Sequence, residues 1–306
     1  MRLEIEKKNT YNCFQNLIAA IAKYYQTDFR MMMLELWGFV YNREFSFFGD
    51  RMGLIWNGNL NYRRKLLSIF HGIDFDRCTS ISEIDNIHNV VNVNPVAFYL
   101  DSFECDWLPF FHKQHRSHLC NIVKVDAKYY YCQDEYLSKG TYKRFTIHGI
   151  ERMSKGFLIF RKKQGNLNVK KHIKGAINDA IDKYDKEQCL KNLDLFIHDF
   201  LEEFDLSQEV KGNNVVESKT IMYLKCLGED KKNMFEFFEY LSDVLRLDIT
   251  KARFYLYEQS KIMLNIRNYL IKEYFCKREI SCKLLERELE RFLLHEKGLY
   301  DFISKL

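Results

Sequence analysis

The chain's two prolines, Pro95 and Pro109, both fall in one stretch, Asn94 to Asp134, which reads NPVAFYLDSFECDWLPFFHKQHRSHLCNIVKVDAKYYYCQD. Proline fixes its own φ and donates no backbone hydrogen bond, so Pro95 marks a strand entry and Pro109 a turn. The pattern around them predicts a buried strand at Val96–Asp101, then a loop rich in aromatic and His residues. Two more strands follow, His118–Val125 and Lys128–Gln133, joined by a tight hairpin at Asp126–Ala127. A further strand is expected at Gly156–Lys162.

From about Val169 onward the pattern is different. Amphipathic segments at 170–204, 215–227, 229–246, 248–275 and 279–305 run without a proline and with many Lys–Glu spacings of helical type. The expected fold class is therefore α+β, with a mixed domain at 1–165 and an all-α helical domain at 166–306. Within the first domain, 28–41 is expected to form a helix closing near Gly38, 45–62 a loop with short strands, Arg63–Phe70 a short basic helix, and Ser80–Asn89 another.

With 47% hydrophobic and 29% charged residues over 306 positions, the composition is that of a folded globular chain and excludes disorder. No apolar run reaches the roughly 18 residues that span a bilayer, and MRLEIEKKNT has no signal-peptide core. A cytoplasmic protein without membrane association is expected. Residues 1–165 hold 23 Lys and Arg against 17 Asp and Glu, a net +6, while 166–306 hold 24 against 25, a net −1. This modest excess, without any nucleic-acid motif, argues against a nucleic-acid partner and suits an acidic protein.

Nine cysteines are scattered with no CxxC pair, so no metal site is expected and most serve as small apolar residues. Cys13 differs by position. In CFQNLIAAIAKYY, residues Phe14, Leu17, Ile18, Ile21 and Tyr25 form one apolar stripe of a helix, and Asn12 is placed to cap it. The first turn of a helix offers unpaired N–H groups and positive potential, which favour a thiolate and can hold an oxyanion. A thiolate nucleophile also needs an imidazole and a group to orient it. His118 opens an apolar strand, and the hairpin after it returns to Asp134, sixteen residues on. His112 and His115 compete with His118, and Asp126, Glu135 and Asn121 with Asp134.

Asn12–Cys13 opening a helix, PVAFYLD, DSFECDWLPFFHKQHRSH, and strands ending in VD and QD together resemble the butirosin-biosynthesis-H-type N-terminal domain. That family is itself similar to the papain-like, C39-type bacteriocin-processing peptidases. The likeness covers roughly residues 11–160 and is most specific at 95–134. It implies a papain-like cysteine-protease fold followed by a helical region. It also implies a catalytic Cys13, His118 and Asp134 that move an acyl group from the phosphopantetheine thioester of an acyl or peptidyl carrier protein to a small amine. The product would be an amide in natural-product biosynthesis, with no cofactor on the enzyme itself. Asp101 and His115 fall on recurrent positions of the central motif. With Asn12 and Trp37 they are the expected substrate-binding residues.

One departure is plain. The peptidase relatives carry a glutamine six residues before the cysteine as an oxyanion donor, and here that residue is Lys7, which leaves Asn9, Asn12 or the Cys13 N–H for the task. This favours transfer from a reactive thioester over amide cleavage. A C39-like peptidase acting on a leader peptide and a non-catalytic binding protein are the alternatives, and a homodimer is left open.

Overall fold

The computed structural model describes residues 3, 5, 7–56, 58–84, 87–138, 140–164, 169–210 and 214–306. The chain is mixed α and β and divides into two compact units. The first comprises Met1–Phe29 and Arg64–Leu167, and the second Arg30–Arg63 and Asn168–Leu306. The boundary expected at 165/166 lies outside the described residues. The assignment of 30–63 to the first domain needs correction: this segment packs with the C-terminal helices. Its aromatic residues are the reason, because Phe39 and Tyr41 meet Phe196, and Phe48 meets Phe200, all at ring separations under 6 Å.

In the first unit six antiparallel strands form one sheet: β1 (Ile73–Cys78), β2 (Val96–Asp101), β3 (Ser117–Val125), β4 (Tyr129–Gln133), β5 (Lys143–Thr146) and β6 (Ser154–Lys162). Their spatial order is β1-β6-β2-β3-β4-β5. Period-2 alternation sends Val96, Phe98 and Leu100 of β2 and Cys120 and Ile122 of β3 into one buried cluster. Helix α1 (Cys13–Tyr25) packs against β3. Phe14 meets Phe75 of β1 edge-on at 6.2 Å, and the Tyr25 hydroxyl donates to the Phe160 carbonyl at 3.1 Å. Gln26, at φ 53°, ends the helix by turning its N–H back to the Ala22 and Lys23 carbonyls.

Strand β1 was not foreseen, although IDFDRC alternates apolar and acidic residues. Its partner β6 pairs Phe160 with Phe75 in register, and Asp74 is held by Arg64 and Lys163. Those two cations keep the Asp74 carboxyl low, at about 2, against the opposing effect of burial. The segment 28–41 forms a 3-10 turn, Arg30–Leu36, in place of the expected helix, and Gly38 at φ 99° ends it. The expected helix at Ser80–Asn89 divides into a 3-10 turn at Ile81–Glu83, capped by Ser80, and a helix at Ile87–Val93.

The long helices of the second unit, among the described residues, are α2 (Val169–Lys186), α3 (Cys189–Glu202), α4 (Lys219–Leu245), α5 (Thr250–Cys276) and α6 (Cys282–Ile303). The two segments expected on either side of Gly228 are one helix, α4. Gly228 is there for close approach rather than as a stop, since a Cβ would sit 2.9 Å from Leu264 Cγ and 3.2 Å from the Ser260 carbonyl oxygen of α5.

The unit closes around Glu296. Its carboxylate accepts from Lys231 Nζ at 2.6 Å, Gln259 Nε2 at 2.5 Å, the Tyr184 hydroxyl at 3.1 Å and Trp37 Nε1 at 3.2 Å. All five side chains are buried. A buried charge is tolerated only when paired and hydrogen-bonded, and loss of one partner strands the other. Glu296→Leu is expected to cost about 3–5 kcal/mol in urea unfolding. The double variant Glu296→Leu/Lys231→Met should recover much of that loss, because no uncompensated ammonium remains.

Candidate active site

Asn12 caps α1 in a complete capping box. Its Oδ1 accepts from the Gln15 N–H at 2.9 Å, and Gln15 Oε1 accepts from the Asn12 N–H at 3.0 Å. The cap fixes where the helix begins and so places the half-buried Cys13 in its first turn. One turn on, the buried Asn16 accepts from the Lys8 N–H at 2.9 Å and donates to Glu135 Oε2 at 2.5 Å. The start of α1 is thereby tied to the chain just after β4.

His118 is the second residue of β3, opposite Leu100 of β2, and is buried. Asp134 follows the last residue of β4, and the register that pairs Asn121 with Gln133 brings it back beside His118. His118 Nε2 and Asp134 Oδ2 are 2.5 Å apart. The same oxygen accepts from Trp107 Nε1 at 2.8 Å, and Asp134 Oδ1 accepts from the Tyr136 N–H at 2.7 Å. Asp134 takes Nε2, and Cys13 is among the groups whose nearness raises the His118 pKa. The ring of Tyr136 meets the imidazole edge-on at 5.9 Å.

Burial alone would push the His118 imidazolium down. Hydrogen bonds and negative charge from Asp134, and then from Cys13, overcome it and raise the pKa to about 10. His118 therefore keeps both ring protons at neutral pH, with the Asp134 carboxylate as acceptor at Nε2. Burial raises Glu135, although the amide of Asn16 bonds its carboxylate.

The other expected residues are placed as follows. Asp101 accepts from Lys155 Nζ at 2.8 Å, lies 3.0 Å from His115 Nδ1, and takes the Phe103 N–H at 3.1 Å as cap of a 3-10 turn. Its carboxylate is thus spent on local order, and His115 stacks on Phe103 at 4.3 Å, largely exposed. Trp37 corrects the expectation of a substrate contact. It belongs to the second unit, fully buried, stacked on Tyr184 and bonded to Glu296, with no face left for a ligand. Asn12 is committed to its cap. His112, at φ 52°, stacks on Phe111, and Asp126 holds its hairpin by accepting from the Lys128 and Tyr129 N–H groups and the Tyr131 hydroxyl.

Three contributors escaped the sequence reading. Trp107, within the aromatic loop after β2, donates to the acid. Asn16 and Tyr136 carried a signal only in their offsets, three residues after Cys13 and two after Asp134. Lys7, six residues before Cys13, holds its ammonium 3.7 Å from the Tyr136 ring centroid.

All nine cysteines are free thiols. Burial pushes the thiols of Cys105 and Cys189 up to about 12 and that of Cys120 well above its ordinary range, which suits apolar filler. Among the described residues no group of three or more His, Cys, Asp or Glu could hold a metal ion, and no helix is long and apolar enough to cross a membrane. In comparisons with known proteins, no family model matches the chain and no characterised protein sequence matches it.

Two pH effects follow. Alkylation of Cys13 by iodoacetamide, read by mass spectrometry, is expected to be about tenfold or more slower in His118→Ala than in wild type near pH 6.5, because an unassisted thiol is mostly protonated there. Since the His118 pKa rises from an unfolded value near 6.5 to about 10, the stability it contributes is full below about pH 6.5 and is lost as pH climbs through about 10. The thermal midpoint of the wild type should fall over that window more steeply than that of His118→Ala.

Proposed function

We propose that this chain is a cysteine acyltransferase with a papain-like catalytic unit, taking an acyl group from a carrier-protein thioester and passing it to an amine. The observation that carries the reading is the buried Asp134 on His118 Nε2, with Cys13 near enough to the same imidazole to raise its pKa. A group with this arrangement can hold a proton for a leaving group and later remove one from a nucleophile.

In the first step the Cys13 thiolate attacks the thioester carbonyl. The bond from carbonyl carbon to pantetheine sulfur breaks, and the departing thiolate takes the His118 proton, leaving acyl-Cys13 and a neutral imidazole. An amine then attacks the new thioester. His118 takes the amine proton, and the tetrahedral intermediate expels the Cys13 thiolate as the amide forms. The imidazolium and thiolate are restored, and neither ATP nor a redox partner enters the balance. Asp134 stays ionised throughout and holds the ring, aided by Trp107 Nε1 and the Tyr136 N–H. The N–H groups in the first turn of α1 are the nearest backbone donors for the oxyanion. Replacement of glutamine by Lys7 supports a thioester donor over an amide, since the thioester demands less of that site.

Intact-mass spectrometry after mixing the protein with acyl-loaded carrier proteins is the test. The expected result is an adduct of the acyl mass that is absent in Cys13→Ala and discharges as an amide when amines are added. Labelling of Cys13 by an electrophilic peptide probe, with no adduct from any carrier or small thioester, would move the assignment to a peptidase. Trp107→Phe removes one charge-assisted bond to Asp134 and is expected to slow acylation about tenfold, in keeping with roughly 1.5–3 kcal/mol for such bonds.

A further inference from the structure

The second unit holds a pocket of about 490 Å³ between the segment that follows α3, residues 204–207, and the end of α5 with the turn after it, residues 273–280. Both walls are fixed by the chain itself. Asp205 accepts from the Ser207 N–H and hydroxyl and from Gln208 Nε2, so its carboxylate is used in capping the short helix Leu206–Glu209. On the other side Lys277, at φ 52°, ends α5 by returning its N–H to the Glu273 and Tyr274 carbonyls, and the Ser281 N–H donates to the Tyr269 hydroxyl at 2.8 Å. Phe204, Tyr274 and Ile280 pack against the core of the unit, Phe204 by stacking on Phe200 at 4.2 Å. They give the pocket apolar walls.

Within those walls one carboxylate is unmet. Glu273 lines the pocket and is only 7% exposed, yet its side chain has no hydrogen-bond or ion-pair partner among the described residues. Its ordinary helical partner is Lys277, four residues on, and the left-handed turn there takes that lysine off the helix path. Lys277 and Arg278 line the same pocket, exposed and likewise without an ion-pair partner among the described residues. A carboxylate so far removed from water is costly unless a donor meets it. Here the donor is left for a ligand to supply.

The neighbours of Glu273 specify that ligand. An ammonium group suits Glu273, and an anionic group suits Lys277 and Arg278. The two cations follow the carboxylate by about one helical turn, roughly 5.4 Å, so the opposite charges of the ligand must lie close together. With Asp205 and Glu279 the lining carries three carboxylates against two cations, which disfavours an inorganic anion alone. The apolar walls ask for an apolar remainder. We propose that this pocket binds a free amino acid with an apolar side chain, its ammonium on Glu273, its carboxylate on Lys277 and Arg278, and its side chain against Phe204, Tyr274 and Ile280. Every residue of the site belongs to the second unit, so the proposal stands or falls apart from the acyl-transfer reading.

The test is isothermal titration of the full chain with phenylalanine and with leucine. The tighter of the two is expected to lose about tenfold or more in affinity when its carboxylate is made an amide or its amine is acetylated. Glu273→Gln should remove the preference for the free amine, and Lys277→Met/Arg278→Met the preference for the free carboxylate. Without ligand, Glu273→Gln is expected to melt at or above the wild-type temperature, because the charge it removes has no partner. Binding of neither amino acid at millimolar concentration, equal binding of the amino acid, its amide and its acetyl form, or preferences that survive in the variants would overturn the proposal. A Glu273→Gln protein that melts several degrees lower would overturn it as well, since the carboxylate would then already serve the fold.

Discussion

The bond between His118 Nε2 and Asp134 Oδ2 is the constraint that the first unit is arranged to satisfy. Both groups are buried, and a buried carboxylate is costly unless its lone pairs are met. Here they are met by three donors of different origin: an imidazole from β3, an indole from the loop after β2, and a backbone N–H from the turn after β4. The acid is thereby locked in place, and the orientation of the imidazole follows from it. The raised pKa of His118 is the electrostatic expression of the same arrangement.

Each secondary-structure element contributes one coordinate of the site. The hairpin of β3 and β4 sets the separation of His118 and Asp134 through its register. The capping box of α1 sets where Cys13 stands, and Asn16 couples the two by bonding Glu135, the neighbour of Asp134. The chain links α1 to the sheet through Phe14 on Phe75 and Tyr25 on Phe160, so that the helix start and the strand ends are parts of one packed body. The second unit shows the same physics with another end. Glu296 is as fully satisfied as Asp134, but its partners include a buried lysine, and it holds helices together where Asp134 holds an imidazole.

Much of this was legible in the sequence because it is local. Strand Val96–Asp101, the hairpin at Asp126 and helix Cys13–Tyr25 are written in period-2 and period-3.6 patterns and in Asn12 as cap. Helix position, strand position and hairpin arithmetic made Cys13, His118 and Asp134 candidates among several, and the family resemblance implied the choice. What escaped depends on contacts distant in sequence. Trp107 reaches Asp134 across 27 residues and Asn16 reaches Glu135 across 119, and nothing in either neighbourhood announces the partner. Trp37 was misread for the same reason. It was expected at a substrate, whereas its indole is committed to Glu296, 259 residues away. Asp101, expected at a substrate, caps a 3-10 turn in the structure.

The most direct test of the central claim is the protonation state of His118, read from the ¹⁵N shifts of its ring nitrogens in selectively labelled protein over a pH titration. The account expects both nitrogens to carry protons from neutral pH up to about 10, and Cys13→Ala to bring that titration to lower pH, because one of the groups that raise the His118 pKa is gone. A neutral single tautomer at pH 7, or a titration that Cys13→Ala leaves in place, would contradict it.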